Sequence, residues 1–102
     1  MQTILDPVAF EWDEGNSEKN YRKHQVTRQE AEEVFINEPF IISEDVTHSN
    51  ENEKRFQGLG RTNYERKLFI SFTIRNEKIR VISVRDMSKK EGVVYEKLKK
   101  NS

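Results

Sequence analysis

The stretch EKNYRKHQVTRQE, residues 18–30, sets His24 directly after Arg22 and Lys23. Further along come Arg61, Lys67, Arg75, Arg80 and Arg85. An imidazole exchanges protons near neutral pH, and guanidinium groups stabilise the negative charge that builds on a phosphorane. Those are the two requirements for cleaving RNA through attack by its own 2′-hydroxyl with no metal ion. His24, Arg61, Arg80 and Arg85 are therefore candidate catalytic residues, and Lys23, Lys67 and Arg75 are candidate RNA contacts. A structural role for His24 stands beside the chemical one, because it falls where one helix ends and another begins. Strict strand alternation separates the arginines: Arg80 shares a face with Ile82 and Val84, whereas Arg85 shares the other with Ser83. Only a strand end or a bulge could bring them together.

Other chemistries find less support. EDVTHSNENE gathers Glu44, Asp45, His48, Glu51 and Glu53, but none of the spacings of an EF-hand or a zinc helix is present, so we read a solvated acidic loop. The chain has no cysteine, which excludes disulfides and thiolate metal sites, and no serine stands in a nucleophile-elbow context. The expectation is no metal and no cofactor.

These residues need elements to position them. Val8, Phe10 and Trp12 alternate as in a half-buried strand, and Asp13 suits the N-cap of a short polar helix running to about His24. Thr27 and Glu30 form a T-x-x-E capping box for a second helix, whose inward residues are Ala31, Val34 and Phe35. Pro39 stops it. Strands follow at 40–46, 54–62, 67–74 and 78–85, with Phe40 and Ile42 on one face of the first. The second is broken by Gly58 and Gly60, and so is bulged or closely approached. Residues 75–78, RNEK, make a hairpin turn. Ser88 and Glu91 open a last helix with Val94, Tyr95 and Leu98 inward and Lys97, Lys99 and Lys100 at its negative end. The expected fold class is α+β: a short N-terminal strand, two helices, an antiparallel β-meander of three to four strands, and a C-terminal helix.

At 102 residues, 33% hydrophobic and 35% charged, the chain has a thin core, and no linker or repeat divides it, so one domain over 1–102 is expected. Its net charge of zero conceals a split. Residues 1–57 hold 6 Lys/Arg against 13 Asp/Glu, and residues 58–102 hold 12 against 5. A basic half suits a phosphate-binding surface or a set of solvated cations. No apolar run is long enough to span a membrane, and MQTILDPVAFEWDE lacks the features of a secretory leader, so the cytoplasm is the expected location.

FEWD (10–13), Asn16, Lys19, Asn20, KH (23–24), Val26, EAEEVF (30–35), Glu53 with Arg55, Gly60-Arg61, RVISVR (80–85), Glu91 and Tyr95 occur in that order. This set resembles the BrnT family of type II toxin–antitoxin toxins, from about Phe10 to Glu96. Members usually carry glycine after KH, where this chain has Gln25, so Gln25 must either alter the joint or accept a strained backbone. The VRDM segment also departs from the alanine-rich usage common there. The resemblance implies a RelE-like ribonuclease fold, RNA cleavage that halts translation, and a BrnA-type antitoxin that binds the toxin, with operator DNA contacted only through that complex. The competing reading is a non-catalytic module whose basic face holds nucleic acid or an acidic protein.

Overall fold

The computed structural model describes residues 9–101. Val8 lies outside them. The described chain runs β1 (Phe10–Glu11), α1 (Glu14–His24), α2 (Arg28–Ile36), β2 (Ile41–Glu44), β3 (Arg55–Arg61), β4 (Lys67–Arg75), β5 (Lys78–Asp86) and α3 (Lys89–Lys100), with one 3-10 turn at Val46–His48. This is the α+β class that the patterning indicates. Both capping boxes form, at Thr27 with Glu30 and at Ser88 with Glu91, and the Asp13 carboxylate accepts the Asn16 N–H. α2 ends at Ile36, with Asn37 as its cap before the cis Glu38–Pro39 bond.

Gln25 takes the strained option. It closes α1 at φ 52°, ψ 41°, in the left-handed region, while its N–H donates to the Tyr21 carbonyl. A side chain there costs about 1 kcal/mol relative to glycine.

The five strands form one mixed sheet in the order β1-β5-β4-β3-β2. β2 to β5 are the expected antiparallel meander, whereas β1 joins the free side of β5 in parallel, with Phe10 opposite Ile79 and Glu11 opposite Arg80. The β4–β5 hairpin turns on Asn76 and Glu77, both at positive φ, as a two-residue turn between right-twisting strands requires.

The core lies on one sheet face. Leu68, Ile70, Phe72, Ile79, Val81 and Val84 pack there against Val26, Ala31 and Val34. Aromatic rings bridge the layers, with Phe35 4.7 Å from Phe40 and 5.0 Å from Phe72 between centroids. The two glycines of β3 serve this packing: a Cβ on Gly58 would come 2.4 Å from the Phe40 ring, and one on Gly60 would meet Phe40 and Val34 at 3.0 Å. β3 itself keeps a regular register against β4, so of the two expectations for this strand it is the close approach that holds.

The bulge falls in β5 instead. Ser71 faces Ser83 but Phe72 faces Val81, which leaves Ile82 as an extra residue. One inserted residue reverses the alternation beyond it. Val81 and Val84 thus both enter the core, and Arg80, Ser83 and Arg85 share the opposite face. The opposite-face assignment from simple alternation is corrected accordingly.

α3 lies over one end of that second face. Tyr95 is fully buried and its hydroxyl donates to the Pro39 carbonyl at 2.8 Å. Val94 and Leu98, expected inward, are 44% and 41% exposed. Only Tyr95 is buried along α3, so Val94 merely borders a cleft of about 220 Å³ with Ile41, Leu59 and Phe69.

Two substitutions test this account by thermal unfolding. Gln25→Gly relieves the left-handed residue and should stabilise by about 0.5 kcal/mol after the larger unfolded-state entropy of glycine is deducted. Gly58→Ala drives a methyl into Phe40 and should cost about 1–3 kcal/mol, several degrees in Tm for a domain of this size.

Candidate functional site

The face opposite the core is organised in rows that the strand register defines. Glu11, Arg80, Thr73 and Arg55 stand side by side across β1, β5, β4 and β3. The next row is Ser83, Ser71, Gln57 and Ser43. A third, Arg85, Phe69, Leu59 and Ile41, runs toward α3, and Lys67 with Arg61 ends the face. Strands about 4.8 Å apart make each four-residue row about 15 Å wide. The result is a polar shelf, rimmed by apolar groups at its α3 end.

The cations on this face are held in place. Arg80 Nη1 donates to Glu11 at 2.8 Å, and its other terminal nitrogen is 3.6 Å from Asp13. Arg85 grips Glu91 with two hydrogen bonds of 2.8 and 3.0 Å and lies 4.2 Å above the Phe69 ring. That guanidinium holds the Glu91 carboxyl below the usual range. Arg75 bonds Glu53, Lys67 bonds Glu96 at 2.6 Å, and Arg61 donates twice to the Glu38 carbonyl and also to Glu65. Arg55 differs. Its Nε is shielded from solvent and has no partner among the described residues.

These pairs explain much of the charge split. Glu11 and Asp13 with Arg80, Glu30 with Arg66, and Glu53 with Arg75 all join the acidic half to the basic half. Among the described residues, Lys89, Lys90, Lys97 and Lys100 of α3 have no carboxylate within ion-pair distance, as has Lys78 at the hairpin. The basic half is largely neutralised within the fold, and its unpaired charge collects on α3.

His24 does not join the shelf at Arg80. Asp13 at the start of α1 is beside Arg80, and His24 closes the helix 11 residues later, about 16 Å away. α1 spans this distance along β5, where the Val84 N–H donates to Asn20 Oδ1 at 3.3 Å. Of the arginines proposed with His24, Arg85 is adjacent in sequence to Asp86, whose carboxyl feels the imidazole. Arg61 is committed to the loop around Glu38. Lys23 is exposed on the last turn of α1.

The residue that organises the joint is Arg66, which sequence reasoning passed over. It donates to the carbonyls of His24 and Gln25 at 3.0 and 2.9 Å, to Glu30 at 3.1 Å, and to both oxygens of Asp86 at 2.7 and 3.0 Å. One guanidinium thus caps the end of α1 and ties it to α2 and to the end of β5. Only the run of carbonyls left by a helix stop at residue 24 hints at such a partner.

The acidic loop holds no metal cluster: among the described residues no three His, Cys, Asp or Glu side chains could share an ion. Asp45 and His48 instead bond each other, Oδ2 to Nδ1 at 2.8 Å, and Asp45 caps the 3-10 turn. Among the described residues no helix is long and apolar enough to cross a membrane.

The family model described as the ribonuclease toxin BrnT of type II toxin–antitoxin systems matches residues 12–91. The chain belongs to this family. A BrnT protein is a ribonuclease toxin, and being of type II it has a protein antitoxin as its partner. The match covers α1 through the start of α3, and so includes the Arg66 joint and all of the shelf but Glu11 of β1. No curated protein matches the chain.

Arg66→Ala leaves two carboxylates and two helix-terminal carbonyls without their partner and should cost about 1–3 kcal/mol. Arg66 holds the Asp86 carboxyl below its ordinary range. A depressed acid stabilises the fold above its unfolded pKa of about 3.9, and that contribution is lost as pH falls through the lower folded value. Denaturant unfolding from neutral pH down to about pH 3 should therefore show a shallower acid loss in Arg66→Ala than in the wild type.

Proposed function

We propose that this BrnT toxin cleaves RNA without a metal ion, by 2′-hydroxyl attack, and thereby stops translation in the cytoplasm. The observation that carries the reading is the row Glu11–Arg80–Thr73–Arg55, where two half-buried guanidiniums flank a buried threonine on the sheet face opposite the core. A phosphate bound there would meet Arg80, fixed by Glu11 and Asp13, and the serines and Gln57 of the next row would supply neutral partners for sugar and base. Arg85, Arg75 and Lys67 extend the contact around the shelf, and Arg61 holds its far margin. The unpaired lysines of α3 give attraction at longer range.

In this reading His24, with Lys23, serves the joint between α1 and α2 rather than the chemistry. The antitoxin is of the BrnA type, covers the toxin to silence it, and is the component through which the pair meets operator DNA.

Purified toxin incubated with single-stranded RNA in excess EDTA should cleave it. Loss of cleavage restored by a divalent ion would overturn the metal-free mechanism, and binding without cleavage would support a non-catalytic module. On the same preparation, Arg80→Ala should lower kcat/KM by at least about tenfold, the worth of one charged hydrogen bond. His24→Ala should lower Tm and leave the specific activity of the folded fraction within a few-fold. A rate loss of about 10² or more at unchanged Tm would return His24 to the chemistry.

A further inference from the structure

RNA cleavage by 2′-hydroxyl attack needs a proton acceptor as well as cations, and the paired arginines offer none. Glu53 stands beside them. It precedes β3 in a loop whose backbone is fixed by Asn50: the Asn50 side-chain oxygen accepts the N–H groups of Asn52 and Glu53 at 2.9 and 2.8 Å, and the Asn50 N–H donates to the Glu53 carbonyl at 2.9 Å. One carboxylate oxygen, Oε2, takes a hydrogen bond from Arg75 Nη2, and the side chain is 32% exposed. Its other oxygen has no protein partner among the described residues. The positive charges facing it come from β3, β4 and β5: Arg55, Arg75 and Arg80 all act on this carboxylate.

Other carboxylates near the shelf are occupied differently. Both oxygens of Glu91 are taken by Arg85, and one also accepts the Ser88 N–H. Asp45 is engaged by His48. Glu11 lies on the two-residue edge strand and is bound to Arg80.

Resting on the ribonuclease reading above, we infer that Glu53 is the group that accepts the proton of the attacking 2′-hydroxyl, with Arg55, Arg75 and Arg80 gathered around the reacting phosphate. The free oxygen of Glu53 takes the proton as O2′ bonds to phosphorus. The P–O5′ bond breaks, its electron pair stays on the 5′-oxygen, and that oxygen is protonated from solvent, to which the shelf is open. Glu53 then returns its proton to solvent. The products are a 2′,3′-cyclic phosphate and a 5′-hydroxyl, with no co-reactant consumed. Arg75 has a double part: in the free protein it keeps Glu53 ionised, and when a phosphate draws the guanidinium away, the carboxylate becomes a stronger base.

The test is single-turnover cleavage of a single-stranded RNA oligonucleotide by the full chain, freed of antitoxin, over about pH 4 to 8. Glu53→Gln should slow cleavage by about 10² to 10⁴ while RNA affinity is kept or improved, because a negative charge leaves the phosphate site. Glu53→Asp, which retains a carboxylate one methylene shorter, should recover part of the rate and so separates chemistry from folding. The wild-type rate should fall as acid protonates Glu53. Since Arg75 holds that carboxyl below its ordinary range in the free protein, Arg75→Ala should move the fall in kcat/KM, read at subsaturating RNA, to higher pH. Cleavage by Glu53→Gln within about threefold of the wild-type rate would overturn the inference, as would an equal acid limb in the two proteins. Wild-type protein that binds RNA and never cleaves it would instead remove the ribonuclease mechanism on which the inference rests.

Discussion

One residue too many in β5 decides what the sheet can do. Ile82 has no partner in β4, and the reversal it introduces lets Val81 and Val84 both enter the core while Arg80 and Arg85 both face away from it. Without the bulge, Arg85 would be driven into the apolar layer beneath α1, where an unpaired guanidinium costs several kcal/mol. The apolar side gains as well: the bulge turns the Val84 N–H outward, where Asn20 of α1 accepts it. The edge of β5 beyond the short β1 is thus covered by a helix rather than left to pair with another chain. Core packing, edge protection and the arginine face follow from the same insertion.

The shelf is built from charges already spoken for. Among the described residues each arginine on it except Arg55 has a carboxylate partner, and several partners come from the distant acidic half. Such pairs add little stability at an exposed surface. Their greater effect is geometric, since a guanidinium held by one fork presents its remaining N–H groups in a fixed direction. A phosphate bound as proposed would exchange partners rather than meet loose side chains, because the cost of ordering long side chains has largely been met on folding. On the proposed reading, this is how a chain with zero net charge would offer a site for a polyanion.

Local rules written in the sequence carried far. Two capping boxes, the Asp13 cap and the hairpin turn were all legible because each depends on residues within four positions of one another, and the family resemblance raised left-handed strain at Gln25 as one of two options. What could not be read depends on distant partners. Nothing in VISV announces a bulge, because no glycine or proline marks it, and only the competing demands of the core and the Asn20 contact select it. Arg66 looked like one more surface cation until the end of α1 came within its reach. Glu53 was merged into an acidic loop, since its meaning lies in Arg75, 22 residues on. Val94 and Leu98 fit helical periodicity, but a narrow contact at the sheet end leaves room for Tyr95 alone. The resemblance carried by FEWD, KH and RVISVR identified the family, whereas His24 drew attention as a titratable group although its carbonyl is what the joint uses.

The parallel strand β1 carries a consequence for how the protein is made. Glu11 meets Arg80, its partner 69 positions later, so the outermost column of the shelf cannot exist until β5 has left the ribosome. Closing so long a loop is slow compared with the local β2–β5 hairpins, which makes β1 docking a late event. A growing chain therefore folds its helices and meander without possessing the finished arginine row. The assembled face is presented only once β5 has emerged and β1 has docked on it.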